Sequence, residues 1–129
     1  MKTMTTNKFS IGNDIIDIDR IERSIQRHGK AFLNKIFTPK GQEYCLKFRN
    51  PYPSLAGRFS AKEAIAKALG TGFGKHVKWT DIEIVNLDSG KPIVILAEHT
   101  QEKFNHPKFE ISISHTMCYA TAVAICFYD

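Results

Sequence analysis

The sequence RFSAKEAIAKALGTG, residues 58–72, predicts the long helix around which the rest of the chain is organised. Glu63 and Lys67 share one side of this helix, because each residue turns it by ~100°. That side also carries small residues, namely Ala56, Ser60 and Gly70. The opposite, core-facing side is formed by Ala61, Ala64, Ile65 and Ala68. The charged pair is either an ordinary surface pair, worth ~0.3 kcal/mol to the helix, or part of a face that lets a ligand approach the backbone closely.

Upstream of this helix, the sequence FSIGNDIID, residues 9–17, predicts a short buried strand with Asp14 in its middle. An ionised carboxylate among isoleucine side chains requires a partner. That partner is a backbone N–H, an arginine, or a metal ion shared with a second carboxylate such as Glu63. The residues alone leave helix capping, a salt bridge and a metal ion open.

Downstream, residues 109–114 alternate apolar and polar side chains and predict a strand. This strand delivers Ser114 and His115 to its end. A single histidine at a strand end is usually structural or exposed to solvent, so it indicates no function by itself.

Length and composition predict one domain spanning residues 1–129, since 43% of the 129 residues are apolar. Residues 1–8 are polar, and no apolar run reaches the ~18 residues of a membrane span. We therefore expect a cytoplasmic protein with no membrane partner. The three cysteines (Cys45, Cys118 and Cys126) lack C-x-x-C spacing, so neither disulfides nor zinc are indicated, and we expect all three to be buried.

The net charge of +5 indicates an acidic partner, which is nucleic acid, a phosphorylated cofactor or an acidic protein. Part of this charge forms a stripe on a helix predicted over residues 17–28, with Arg20, Arg23, Arg27 and Lys30 on one side. The stripe is either a solvated face or a docking surface for an acidic helix. Aromatic residues are not interleaved with basic ones as a base-stacking platform requires, so we expect no nucleic-acid partner.

The order of elements favours an α+β fold. Two short helices are expected between the first and the long helix, the second beginning at Thr38 and Pro39. A glycine cluster at residues 70–74 ends the long helix and matches neither a Walker loop nor a dinucleotide fingerprint. Strands at 81–86 and 92–96, a helix at 98–105, and strands at 109–114 and 119–127 follow. Short antiparallel strands with segregated helices are typical of this class.

Three segments of this chain occur in the order and approximate spacing of one family. They are Gly12-Asn13-Asp14 with Arg20, residues 59–72 with the pattern FSAKEA-x-x-KA-x-GTG, and Ser112-Ile113-Ser114-His115. This compound motif resembles the small bacterial holo-acyl-carrier-protein synthases, which are 4'-phosphopantetheinyl transferases, over about residues 11–127. The resemblance implies an antiparallel sheet packed with a long helix, usually assembled as a trimer with active sites between subunits. Such enzymes usually have Glu where Gly41 stands, so we expect the helix beginning at Thr38 to lack its capping box.

The resemblance also implies a reaction: the 4'-phosphopantetheine group of coenzyme A moves to a serine of apo acyl carrier protein, in fatty acid biosynthesis. Adenosine 3',5'-bisphosphate is released. Asp14 and Glu63 suit Mg²⁺, which needs only one or two protein carboxylates. Lys67 neutralises phosphate charge as a point cation. The base that deprotonates the serine is Glu63 or a water molecule on the metal, and both stay open.

Further residues receive binding roles by this resemblance. In the family, the arginine that matches Arg20 contacts the carrier protein. We expect Arg23 and Arg27, in the same stripe, to share this docking role. The adenosine and 3'-phosphate end of coenzyme A is assigned to Arg58, Gly70, Thr71, Gly72, Ser114 and His115. The remaining alternative is a basic, non-catalytic binding module for an acidic protein or nucleic acid.

Overall fold

The computed structural model describes residues 9–129. The expectation of a polar N-terminus without a leader peptide concerns residues 1–8 and lies outside the described residues. The helices are α1 (Ile18–His28), α2 (Lys30–Ile36), α3 (Pro39–Leu46), α4 (Tyr52–Leu69) and α5 (Glu98–Lys103). The strands are β1 (Phe9–Asp17), β2 (Ile82–Asn86), β3 (Pro92–Leu96), β4 (Lys108–His115) and β5 (Tyr119–Phe127).

Two antiparallel sheets organise these elements. The larger has three strands in the order β1-β5-β4, and the smaller is the β2–β3 pair. The predicted α+β fold, an antiparallel sheet packed with a long helix, is confirmed. Helix α4 begins at Tyr52. Pro53 does not prevent this start, because proline is tolerated in the first turn of a helix. Helix α5 ends before residue 105, because Asn105 and His106 adopt φ angles of 63° and 56°.

Helix α4 lies on the inner face of the three-stranded sheet. Its alanines share a buried cluster with small residues of β5, namely Ala122, Ala124 and Cys126. Strand β1 passes even closer, since a Cβ atom on Gly12 would lie 2.0 Å from the Ala64 carbonyl oxygen. Only glycine permits this approach of strand to helix.

This packing corrects one expectation about α4. Ala56 and Ser60 are completely buried. The space beside the small residues is therefore filled by protein rather than open to a ligand. Only the C-terminal part of that side, with Glu63 half-buried and Lys67 exposed, meets solvent.

Helix α3 begins with the predicted N-cap and without a capping box: the Gly41 N–H donates to the Thr38 hydroxyl oxygen at 3.1 Å, and Gly41 has no side chain to return the bond. One expectation about the cysteines is wrong. Cys45 and Cys126 are buried as predicted, but Cys118 is exposed. Cys118 lies in the turn between β4 and β5, where nothing packs over the chain to bury a thiol.

The outer face of the three-stranded sheet is apolar and open. Inner and outer side chains alternate along β1 and β5, so the expectation that residues 9–17 form a buried strand is wrong: β1 is buried on its inner face only. The outward residues include Phe9, Ile11, Ile15, Tyr119, Val123 and Ile125, each at least 39% exposed. An apolar patch of this kind on a folded domain typically marks an interaction surface. Among the helices of the described chain, none has the length and apolar character needed to cross a bilayer.

Candidate functional site

Strand β1 and helix α4 bring an acidic and a basic side chain into contact. The Lys67 Nζ atom lies 3.2 Å from Asp14 Oδ1 and donates to the Asn13 carbonyl oxygen at 2.9 Å. The Asp14 side chain is only 16% exposed, whereas that of Lys67 is 50% exposed. The salt bridge predicted as one of three possibilities for Asp14 is therefore present, and Lys67 keeps access to solvent.

Glu63 belongs to the same group of charges. Its pKa is raised above the usual value, first by burial and second by the negative charge of Asp14, while Lys67 opposes the shift. The effect of Asp14 on the pKa of Glu63 means that the two carboxylates are near enough to repel each other. We name Asp14, Glu63 and Lys67 the charged triad.

A cavity of about 320 Å³ opens beside the triad. Its polar wall is formed by Asp14, Glu63, Arg20 and Ser24, and Phe32 and Phe59 lie on its apolar wall. We name it the carboxylate cavity. Arg20 on α1 therefore lines the same cavity as Asp14 and Glu63. Arg23 and Arg27 are also exposed on α1 and form, with Arg20, a basic stripe along this helix.

A second cavity, of about 580 Å³, contains Arg58 and His115. Arg58 is 4% exposed, donates to the Ile84 carbonyl oxygen at 2.9 Å and to the Asn86 side chain, and its guanidinium lies 4.4 Å from the centre of the Tyr44 ring. Its Nε atom is buried with no partner among the described residues. We name this space the arginine cavity.

The other residues assigned to coenzyme A line neither cavity; they are Gly70, Thr71, Gly72 and Ser114. Gly70, with φ of 87°, ends α4 in the left-handed conformation, as a helix-terminating glycine should. Thr71 is exposed and donates to the Gly72 carbonyl oxygen at 3.0 Å. Ser114 is exposed on β4. Within one chain, the predicted residues are thus divided among separate surfaces.

Some contacts at the site were not anticipated from the sequence. The hydroxyls of Ser60 and Thr121 both donate to the Asp14 carbonyl oxygen, and Asn86 holds Arg58. These partners are 28 to 107 residues apart along the chain. No local pattern signals such pairs, because tertiary packing alone brings them together.

Lys62, the residue before Glu63 on α4, is 2% exposed, and its ammonium donates to the carbonyl oxygens of Ile36 and Trp79 at 2.7 Å and 3.0 Å. Burial lowers its pKa from 10.5 to about 8. Lys62 therefore joins α2 to the turn before β2 and has a structural task.

Across residues 9–129, no three or more His, Cys, Asp or Glu side chains are grouped so as to hold a metal ion. The acidic oxygen donors of the charged triad are the two carboxylates of Asp14 and Glu63.

Known proteins resemble this chain over most of its length. The model of the 4'-phosphopantetheinyl transferase superfamily matches residues 10–125. The holo-[acyl-carrier-protein] synthase of Chlamydia caviae is 56% identical over 115 residues, which cover 89% of this chain and 93% of the relative. The crystal structure of the Helicobacter pylori holo-[acyl-carrier-protein] synthase in complex with coenzyme A has a TM-score of 0.83 and 35% identity, covering 90% of this chain and 98% of that one. The corresponding enzyme of Neisseria meningitidis has a TM-score of 0.84 and 31% identity, with coverages of 92% and 98%.

The chain therefore belongs to the 4'-phosphopantetheinyl transferase superfamily. Within this class of enzymes, the relatives that it resembles over most of its length are holo-[acyl-carrier-protein] synthases.

Proposed function

We propose that this chain transfers the 4'-phosphopantetheine group of coenzyme A to a serine hydroxyl of apo acyl carrier protein, in fatty acid biosynthesis. Adenosine 3',5'-bisphosphate leaves. Membership of the superfamily supplies the reaction class. The observation that carries the proposal is the charged triad, two carboxylates and one partly exposed lysine, at a cavity reached by the arginine stripe.

The two carboxylates fit Mg²⁺. Both offer hard oxygen donors, and Mg²⁺ is commonly held by one or two carboxylates together with waters and substrate phosphates. The pKa of Glu63 is raised first by burial and second by the negative charge of Asp14, and a bound divalent cation would relieve that repulsion. When bound, Mg²⁺ would neutralise charge on the pyrophosphate of coenzyme A.

Lys67 and Glu63 perform the remaining electrostatic and proton-transfer tasks. The Lys67 ammonium is half exposed, so it can turn from Asp14 towards an incoming phosphate as a compact cation. Phosphoryl transfer depends chiefly on such positioned charges. The Glu63 carboxylate is one group at this site that can accept the proton of the serine hydroxyl.

The stripe of Arg20, Arg23 and Arg27 is proposed as the docking surface for the acidic carrier protein. All three side chains are exposed on α1, and Arg20 also lines the carboxylate cavity. A carrier seated on this stripe would present its serine at the charged triad. Complementary charge of this kind chiefly raises the rate of encounter.

The adenosine end of coenzyme A is assigned to a site shared between subunits of a homotrimer. Support comes from the open apolar face of the sheet and from the separation of Arg58 and His115 from the charged triad. Ser114 and the turn of Gly70, Thr71 and Gly72 are assigned to the same end. A neighbouring subunit on the sheet face would join surfaces that a single chain keeps apart.

One assay tests the proposed reaction. The protein is incubated with coenzyme A, Mg²⁺ and apo acyl carrier protein, and the intact carrier is weighed by mass spectrometry. The expected result is a mass increase of one phosphopantetheine group that requires Mg²⁺ and is abolished by a chelator. A carrier that binds but keeps its mass under these conditions would indicate the non-catalytic binding module instead.

A further inference from the structure

The main-chain carbonyl oxygen of Asp14 accepts two side-chain hydrogen bonds. The Ser60 hydroxyl on α4 donates to it at 3.0 Å, and the Thr121 hydroxyl on β5 donates at 2.8 Å. These two bonds add to the pairing of Asp14 with Ala122 in the β1–β5 ladder, so the carbonyl is held both from helix α4 and from strand β5. Ser60 is completely buried, which limits the ways in which its hydroxyl can be satisfied otherwise.

The residues around this carbonyl are tied to the same helix. Gly12 lies against the Ala64 backbone, and the Asn13 carbonyl oxygen accepts from the Lys67 ammonium at 2.9 Å. Three consecutive residues of β1 are therefore fixed relative to α4. Because Ser60 lies three residues before Glu63 on that helix, its bond sets the position of Asp14 relative to the second carboxylate.

We propose that Ser60 and Thr121 are positioning residues, which hold the Asp14 main chain so that its carboxylate and that of Glu63 can bind one divalent cation. This inference rests on the metal site of the proposed function. Mg²⁺ demands near-ideal octahedral geometry, and a site of this kind requires its ligands within ~0.5 Å of their productive positions. A carboxylate on an exposed, loosely held strand would not meet that demand.

The test measures binding of Mn²⁺, in the presence of coenzyme A, by electron paramagnetic resonance. Ser60→Ala and Thr121→Val each remove one hydroxyl, and we expect each to weaken Mn²⁺ binding ~5-fold, the effect of losing one hydrogen bond. The double variant should weaken Mn²⁺ binding more than either single variant, because it removes both hydroxyls from the Asp14 carbonyl oxygen. Ser60→Thr and Thr121→Ser keep a hydroxyl and should restore binding.

Ser10→Ala is the matched control. The Ser10 hydroxyl donates to the Ala68 carbonyl oxygen at 2.5 Å and so also joins β1 to α4, but four residues from Asp14. This variant should bind Mn²⁺ like the wild type. In turnover assays, the Mg²⁺ concentration for half-maximal rate should rise in Ser60→Ala and Thr121→Val, with the rate at saturating Mg²⁺ nearly retained.

Specific results would overturn the inference. Wild-type Mn²⁺ affinity in both single variants and in the double variant would mean that the hydroxyls merely stabilise the fold. The same conclusion would follow if Mn²⁺ binding fell only in variants whose oligomeric state, measured by sedimentation, had changed. If the wild type did not bind Mn²⁺, or if Asp14→Asn bound it unchanged, the metal site itself would be wrong, and this inference with it.

Discussion

Lys67 and Asp14 form an ion pair at 3.2 Å although 53 residues separate them along the chain. The pair joins the middle of β1 to the last turns of α4. Glu63 lies one helical turn before Lys67, and the charges of both Asp14 and Lys67 affect its pKa. A half-exposed pair of this kind contributes little stability, typically ~0–1 kcal/mol. Because Asp14 lines the carboxylate cavity, the position of the pair favours a role in binding or catalysis over a role in stability.

Removal of either carboxylate should reduce turnover strongly with the fold retained. Asp14→Asn and Glu63→Gln should each lower the rate at least ~100-fold, which corresponds to ~2.7 kcal/mol of barrier, because each removes one negative metal ligand. Steady-state kinetics at limiting Mg²⁺ and circular dichroism provide the measurements. Asp17→Asn changes an exposed carboxylate at the end of the same strand and should leave the rate nearly unchanged. Near-wild-type activity of folded Asp14→Asn would rule out its assigned role.

Loss of Lys67 should impair turnover more than stability. We expect Lys67→Ala to lower the rate at least ~10-fold, as a positioned cation is lost from the transition state, and to shift the melting temperature little. Lys108→Ala is the control, since it also breaks an exposed ion pair, with Asp129. Lys62→Ala cannot serve as a control, because the buried Lys62 ammonium bonds two carbonyl oxygens. Equal kinetic defects in Lys67→Ala and Lys108→Ala would contradict the assignment.

Glu63 should reduce the stability of the metal-free protein at neutral pH. The pKa of Glu63 in the folded state is raised above 4.5. Protonated Glu63 therefore makes its full contribution to folding stability below about pH 4.5, and this contribution is lost as the pH rises through the raised pKa. Glu63→Gln should therefore melt at a higher temperature than the wild type at pH 7 without metal. Saturating Mg²⁺ with coenzyme A should raise the melting temperature of the wild type more than that of the variant. Identical melting curves for both proteins at pH 7 and at pH 4 would argue against the predicted repulsion.

Charge reversal on α1 should affect the carrier protein and spare coenzyme A. Arg20→Glu should raise the KM for the carrier and weaken the salt dependence of association, because exposed interface charges act mainly through the encounter rate. Lys108→Glu makes the same charge change on the exposed end of β4 and should have a smaller effect. Separate titrations with carrier and with coenzyme A distinguish the outcomes. If coenzyme A affinity collapses while the carrier KM stays constant, Arg20 belongs to the nucleotide site.

Much of the fold was predictable from local pattern. The strands predicted over residues 9–17 and 119–127 are β1 and β5, and the glycine after Leu69 ends α4 as predicted. The exposure of Cys118 was not predictable, because it depends on which residues pack around a single turn.

The sequence by itself determined the α+β class and the chemical types at the site, since periodicity, capping residues and charge are properties of neighbouring positions. It also indicated that Asp14 and Glu63 could share a cation. Only the tertiary structure decided that Asp14 pairs with Lys67, that Ser60 and Thr121 hold its carbonyl, and that Arg58 lies in a different cavity. Those relationships join residues far apart in the chain, and the close approach of β1 to α4 at Gly12 creates them through packing that no local pattern encodes.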